Sequence, residues 1–186
     1  MNSTKIKPYY LIVRIDCFGF LILKIRVKLL YNYLYASAMK IEYNNLYTHF
    51  IFTTYKREPV ILAKNRERIE KYVTGIVNNN ASKMYAIYAN PEHMHILISR
   101  SPEISEQKMA QIVANSSQKF INENGLVERG KFSWQQSASA FSVSKSDIKR
   151  ICKYILSQPE HHKTKPFQEE YHQFIKHYQK TIDVNK

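Results

Sequence analysis

Glycine and cysteine are both scarce in this sequence. There are four glycines among 186 residues, and none belongs to a Walker or dinucleotide-binding fingerprint, which argues against a Gly-rich phosphate loop. The two cysteines, Cys17 and Cys152, are too few for a disulfide framework and belong to no Cys-x-x-Cys or Cys/His motif. We therefore expect inert thiols and a reducing, cytoplasmic setting.

Long uncharged apolar runs are also missing. Residues 1–38 contain six basic residues and one acid, and the longest uncharged run there, 29–39, has 11 residues, whereas a membrane span needs about 20. Ala36-Ser37-Ala38 imitates a signal-peptide cleavage site, but charges interrupt the segment before it. We expect no membrane segment and interpret 1–38 as an atypical extension or dispensable arm, 39–180 as the functional domain and 181–186 as a tail.

Acidic residues are few relative to basic ones. Lys and Arg number 28 against 15 Asp and Glu, a net charge of +13, which is still +8 without residues 1–38. This excess favours a polyanionic partner such as nucleic acid, although charge alone also fits a basic protein without one. With 44% hydrophobic residues, the chain can bury one core, and we expect one domain.

Apolar periodicity after Met39 predicts alternating strands and helices. Runs with a two-residue period, or apolar on both faces, predict four strands: 46–54, 83–89, 93–99 and 132–143. In the second strand, Met84, Ala86 and Tyr88 are predicted to share one face. Helical spacing and capping residues predict helices over four segments: one carrying Ile69–Val77 and ending at Asn78–Asn80, one from Ser105 to near Gly125, one from Ser144 that ends or kinks at Gln158 before Pro159, and one from Pro166 through Tyr178.

The order β-α-β-β-α-β with C-terminal helices predicts an α+β, ferredoxin-like domain. In that fold, four antiparallel strands form one sheet with helices on one face. We expect the other face to be open, and its middle strand to carry the side chains described next.

His93 and His95 begin the third predicted strand, with Met94 between them. Because side chains alternate along a strand, the two histidines share a face and Met94 points to the other. Two imidazoles side by side on a rigid sheet can hold a divalent metal. Taken alone, the pair is more typical of two half-exposed histidines with ordinary hydrogen bonds.

Tyr154 and Gln158 are four residues apart and are predicted to share a helix face. Singly, a tyrosine beside an apolar stripe is usually a packing residue, and a glutamine is a surface amide. Jointly with the histidines, they suit metal-assisted attack by a phenol on a phosphodiester. Two imidazoles and an amide oxygen suit Mg²⁺ or Mn²⁺ and leave coordination positions open for a phosphate oxygen and water. A phenol with a pKa of about 10 is a poor nucleophile at neutral pH, and a metal-bound phosphate makes it easier for the phenol to lose its proton as it attacks. A phosphotyrosine ester would permit rejoining without a nucleoside triphosphate.

These segments match a known pattern. Pro91–Ile98 resembles the HUH motif (His, hydrophobe, His) of the single-tyrosine transposases of the insertion-sequence 200/605 group, and Tyr154–His162 resembles their tyrosine helix. The segments 47–57, 134–135 and 140–144 are similar to the same family. The resemblance extends over roughly residues 43–178, and its motifs are jointly specific.

The resemblance implies a ferredoxin-like homodimer that mobilises an insertion sequence. Such enzymes cleave and rejoin single-stranded DNA beside hairpin ends, forming a 5′-phosphotyrosine and leaving a free 3′-OH. Carried over by position, His93, His95 and Gln158 are ligands of Mg²⁺ or Mn²⁺. Tyr154 is the nucleophile, acting within its own subunit or in the partner's site.

The chain also departs from the pattern at one place. Relatives often have a Gly-Tyr-Gly-like run where this chain has Ser137-Ala138-Ser139, so a flexible backbone and a base-stacking surface are lost. His161 and His162 follow Pro159, and we expect them to be polar residues at a helix end or phosphate contacts. The alternative is that they replace Gln158 as metal ligands, if the predicted kink turns Gln158 away from the site.

Six basic side chains are predicted to lie near the site and to contact DNA phosphates: Lys56, Arg57, Lys145, Lys149, Arg150 and Lys153. Each alone is also consistent with a solvated surface charge.

Other functions remain open at the level of sequence. One is a related HUH nuclease, either a replication initiator or a domesticated transposase. Another is a non-catalytic single-stranded nucleic-acid-binding module, since ferredoxin-like sheets also bind RNA. A metal-dependent hydrolase would not need Tyr154. A covalent adduct with single-stranded DNA would distinguish a transposase or a related HUH nuclease from a binding module and from a hydrolase.

Overall fold

Four antiparallel strands in the order β2-β3-β1-β4 form the sheet on which the molecule is built. The computed structural model describes residues 41–161, 169, 171–173 and 176, and the elements below belong to one unit, residues 43–186. The strands are β1 (Tyr47–Thr53), β2 (Lys83–Ala89), β3 (His93–Ser99) and β4 (Ser139–Val143). This order and the antiparallel pairing confirm the predicted ferredoxin-like α+β fold.

The predicted extension 1–38, tail 181–186 and most of the helix from Pro166 lie outside the described residues. None of the helices in the described part is long and apolar enough to cross a membrane.

One face of the sheet packs against two helices, α1 (Ala63–Asn79) and α2 (Glu106–Glu123). Inward-facing side chains of the central strands β1 and β3 form one core cluster with both helices: Phe50, Phe52, Met94, Ile96, Ile98, Val73, Val77, Met109 and Val113. Each fully buried side chain of this kind stabilises the fold by about 1.5–3 kcal/mol. As predicted, Ser105 caps α2, its Oγ accepting a hydrogen bond from the Lys108 amide at 3.2 Å.

A bulge in β2 changes which side chains share a face. Met84 pairs with Ile98, but the next pair is Ala86 with Leu97, so Tyr85 is an extra residue. Met84 therefore packs into the cluster on the α1 and α2 side, while Ala86 belongs to the opposite face. The prediction that Met84 shares a face with Ala86 and Tyr88 is wrong for this reason.

The second sheet face is covered, which corrects the expectation that it is open. Helix α3 (Ile148–Leu156) packs Ile151 and Ile155 against Ala86, Leu97 and Val143 of the sheet. Both surfaces are apolar, and leaving them apart would expose them to water. A short 3-10 turn, Lys145–Asp147, leads into α3, and a final short helix α4 (Gln158–His161) follows it.

We expect Ile155→Ala to release α3 from this face. Ile155 is fully buried, and truncation of a buried isoleucine to alanine costs about 2–5 kcal/mol because it loses burial and leaves a cavity. Urea unfolding monitored by circular dichroism measures the change. Leu156→Ala is the matched control, because its side chain is 60% exposed and its loss should change the free energy of unfolding by about 0.5 kcal/mol or less. Equal effects of the two variants would contradict the packing of α3 on the sheet.

Candidate active site beneath helix α3

The two histidines of the HUH motif lie on the sheet face that α3 covers. His93 pairs with Thr53 and His95 with Ile51 in the register of β3 with β1. Their rings lie with centroids 4.9 Å apart and nearly perpendicular, and the residues are 0% and 1% exposed. The pair is therefore fully buried, in contrast to two half-exposed histidines on an open sheet.

Each histidine is held through its Nδ1 atom by a neighbouring polar group. His93 Nδ1 lies 3.4 Å from Glu92 Oε1, and His95 Nδ1 lies 3.0 Å from Nε2 of His49. The rings of His49 and His95 are also stacked, with centroids 5.2 Å apart. The second ring nitrogen of His93, Nε2, lies 2.9 Å from Nδ2 of Asn90.

His49 is a third buried histidine, contributed by β1. Burial lowers the pKa of His49 to about 4, so its ring is neutral near pH 7 and one of its nitrogens accepts a hydrogen bond. Burial also lowers the pKa of His93, and the neighbouring Glu92 opposes this effect. Neutral imidazole is the form that binds metal ions.

Gln158 reaches this site from beyond the end of α3. The helix ends at Leu156, and Gln158 begins α4, so the predicted break before Pro159 is present. The prediction that Tyr154 and Gln158 share one helix face is therefore wrong, because the two residues belong to different helices. Gln158 is nonetheless fully buried, and its Oε1 accepts a hydrogen bond from Asn90 Nδ2 at 3.0 Å. The break therefore does not turn Gln158 away, and the side chains of the alternative ligands lie outside the described residues.

Tyr154 places its ring edge against the histidines from the last turn of α3. Its centroid lies 5.8 Å from that of His95 and 6.3 Å from that of His49, both in edge-on geometry. The structure thus brings the four residues singled out in the sequence, His93, His95, Tyr154 and Gln158, to one buried place.

Three further residues of the site were missed in the sequence: His49, Asn90 and Glu92. His49 had a local signal, because it is a titratable residue within a strand predicted to be apolar on both faces. Glu92 directly precedes the motif. Asn90 had no such signal, because only the fold brings it to Gln158, 68 residues away.

The predicted DNA-binding residues form two exposed groups. Lys56 and Arg57 lie in the turn after β1 and adopt left-handed φ values of 55° and 60°. A backbone hydrogen bond of 2.9 Å from Thr54 to Glu92 ties this turn to the start of β3. Strained conformations of this kind cluster at functional sites.

The second basic group lies on α3 and the turn before it. Lys149 and Lys153 are exposed and one helical turn apart on α3. Arg150 is paired with Asp147, with Nη2 and Oδ1 3.1 Å apart. Lys145 precedes the first turn of α3 and is therefore at the opposite end of the helix from Tyr154.

Comparison with known proteins adds to this geometry. Residues 42–158 match the family model described as "Transposase IS200 like". The matched segment contains both motif histidines and Tyr154, and it ends at Gln158. No curated protein matches the sequence.

Two solved structures are similar to this fold. One is a candidate transposase from Deinococcus radiodurans R1, with a TM-score of 0.51 and 19% identity over 65% of this chain and 97% of that one. The other is a REP-associated tyrosine transposase bound to a REP hairpin, with a TM-score of 0.49 and 15% identity over 67% of this chain and 74% of that one. At 19% identity the first likeness shows the fold alone.

Proposed function

The chain belongs to the IS200-like transposase family, and from this premise we propose that it cleaves and rejoins single-stranded DNA through a covalent 5′-phosphotyrosine at Tyr154. The observation that carries the proposal is the position of the Tyr154 ring, edge-on to His95 in the same buried site as His93 and Gln158. A packing tyrosine would not require two histidines and an amide oxygen beside it.

The donor set fits a divalent cation. His93 and His95 each use Nδ1 for an orienting contact, which would direct Nε2 to a metal, and Gln158 adds an amide oxygen. The described residues contain no group of three or more His, Cys, Asp or Glu suited to hold a metal ion. Two nitrogens and an oxygen with open positions suit Mg²⁺ or Mn²⁺ better than a closed zinc site. When bound, the cation would stabilise negative charge on the phosphate oxygens.

The protein's own side chains would then perform the transfer. The Tyr154 oxygen forms a bond to phosphorus as the P–O3′ bond breaks, and the phenolic proton is transferred to the released 3′ oxygen, which becomes a 3′ hydroxyl. Rejoining is the reverse, with a 3′ hydroxyl attacking phosphorus and the phenol regaining its proton. The number of phosphoester bonds is unchanged, so no nucleoside triphosphate is required.

Access of DNA to this site requires movement of the helices. Because His93, His95 and Gln158 are 0–1% exposed, a phosphodiester reaches them only after α3 and α4 shift from the sheet. Such a shift would also permit the exchange of tyrosine helices between the subunits of a homodimer, as the family resemblance implies. We propose this homodimer as the working form.

Incubation of the full chain with labelled single-stranded DNA and Mn²⁺ tests the proposal. The DNA should carry the subterminal hairpins of the chain's own genomic flanks. We expect a protein–DNA adduct that survives denaturing electrophoresis, together with a free 3′-OH on the released fragment. Cleavage without a covalent adduct would contradict the proposal and favour a hydrolase. Binding of the DNA with neither cleavage nor adduct would favour a binding module.

Phosphate binding by α3 makes a separate prediction about salt. Each phosphate contact with single-stranded DNA contributes about 0.7 to the slope of log Kd against log salt concentration. The double variant Lys149→Gln/Lys153→Gln should therefore lower this slope by about 1.4, as measured by fluorescence anisotropy. Lys119→Gln is the control, because Lys119 pairs with Glu123 on α2, across the sheet from the site. An unchanged slope in the double variant would show that these two lysines of α3 do not contact DNA phosphates.

A further inference from the structure

Asn90 is a buried amide to which neither the sequence nor the family pattern assigns a role. It follows the last residue of β2 and is 3% exposed. Its Nδ2 atom donates to two acceptors, lying 2.9 Å from Nε2 of His93 and 3.0 Å from Oε1 of Gln158. In the proposed function, these two acceptor atoms bind the cation.

The hydrogen bonds define where the lone pairs of the two acceptors point. Nε2 of His93 can accept from Asn90 only if the ring proton is on Nδ1, and Nδ1 faces the Glu92 carboxylate at 3.4 Å. The Nε2 lone pair is therefore directed at the Asn90 amide, and so is the Gln158 carbonyl oxygen. Two ligand atoms and one amide converge on the same small volume.

The Asn90 amide nitrogen thus lies within hydrogen-bond distance of two proposed ligand atoms at once, 2.9 Å from one and 3.0 Å from the other. A side-chain oxygen in the same position would be close to both of them.

We infer that Asn90 is a further ligand of the metal, binding it through its side-chain oxygen Oδ1. A half-turn of the amide exchanges Nδ2 for Oδ1 with little change in its shape. Without a cation, the NH₂ group satisfies the two buried acceptors; with a cation, Oδ1 joins them as the kind of oxygen donor that Mg²⁺ and Mn²⁺ prefer. The inference rests on the proposed function in that it takes His93 and Gln158 as ligands.

The test is Mn²⁺ binding by the full chain without DNA, in which electron paramagnetic resonance measures the concentration of free Mn²⁺. We expect Asn90→Ala to weaken binding at least about tenfold, since even outer-shell partners of a metal account for about 10–100-fold. Asn90→Asp should bind as tightly as the parent chain or more tightly, because a carboxylate keeps an oxygen at the same position. Asn79→Ala, at the exposed end of α1, is the control.

Other outcomes overturn the inference. If Asn90→Ala binds Mn²⁺ as well as the parent chain or better, the amide is not a ligand and only occupies the cation's position when the cation is absent. If Asn90→Asp is weakened together with Asn90→Ala, the amide is needed for the fold alone. Absence of Mn²⁺ binding by the parent chain also overturns it. The phosphotyrosine adduct is scored separately, so an adduct that forms while Asn90→Ala binds Mn²⁺ normally refutes the ligand and leaves the proposed function standing.

A second measurement tests the inference on the parent chain, so it does not depend on whether a variant of Asn90 folds. In ¹⁵N-labelled parent chain, titration with diamagnetic Mg²⁺ should shift the Asn90 side-chain NH₂ resonances upfield as both hydrogen bonds are lost. Resonances that keep their positions at saturating Mg²⁺ would show that the amide has not turned, and the inference would fail.

Discussion

Tyr154→Phe is expected to bind single-stranded DNA as the parent chain does and to form no covalent adduct with it. The substitution removes one oxygen and keeps the ring that packs edge-on against His49 and His95. Folding and metal binding should therefore be retained, while the nucleophile is lost. Adduct formation on denaturing gels should fall below detection, and anisotropy should report an unchanged Kd.

Tyr72→Phe is a suitable control for this variant. Tyr72 is on α1 and stacks on Phe120 of α2, so it lies on the other side of the sheet. It should form the adduct at the parental rate. An adduct that persists in Tyr154→Phe would assign the nucleophile to another residue and would contradict the proposed mechanism.

Tyr154→Phe also shows whether Tyr154 acts in the active site of its own subunit or in that of the partner subunit. In a mixture of Tyr154→Phe with His95→Ala, each subunit lacks one half of the machinery. If the tyrosine of one subunit completes the metal site of its partner, mixed dimers regain adduct formation at one of their two sites. If Tyr154 serves the histidines of its own chain, as it is placed in this structure, the mixture stays inactive.

Local patterns predicted most of the sheet because their physical causes are local. The bounds of β2 and β3 match those predicted, since a two-residue period and the Pro91-Glu92 turn between them are features of neighbouring residues. The bulge at Tyr85 was missed because the apolar alternation of the sequence continues through it. It depends on the pairing partner, as the shift from Ile98 to Leu97 indicates.

The candidate site was predicted only in part, because its supporting residues are distant in sequence. The motif and the tyrosine segment are contiguous patterns, and both were found. His49 is 46 residues from His95, and it reaches that ring only because His49 pairs with Leu97, two residues along β3. The coverage of the second sheet face likewise depends on α3 folding back, which no local pattern determines.

The second large effect is expected for the metal ligands. His95→Ala should weaken Mn²⁺ binding by more than about 100-fold, because it removes a ligand whereas loss of an outer-shell partner costs about 10–100-fold. His49→Phe should give the smaller, outer-shell effect, since the His95 ring keeps its Nε2 and loses only the partner of Nδ1. Mn²⁺ titration measures both variants, with thermal melts to establish that each is folded.

A graded series of this kind distinguishes a metal centre from a purely structural histidine cluster. In a structural cluster, His49→Phe and His95→Ala would lower the melting temperature by similar amounts without a difference in Mn²⁺ binding, because both side chains are equally buried. In a metal centre, loss of affinity should increase from the exposed His172→Ala, which is neutral, through His49→Phe to His95→Ala. Saturating Mn²⁺ should then raise the melting temperature of the parent chain and not that of His95→Ala, because ligand binding stabilises only a fold that holds the ligand.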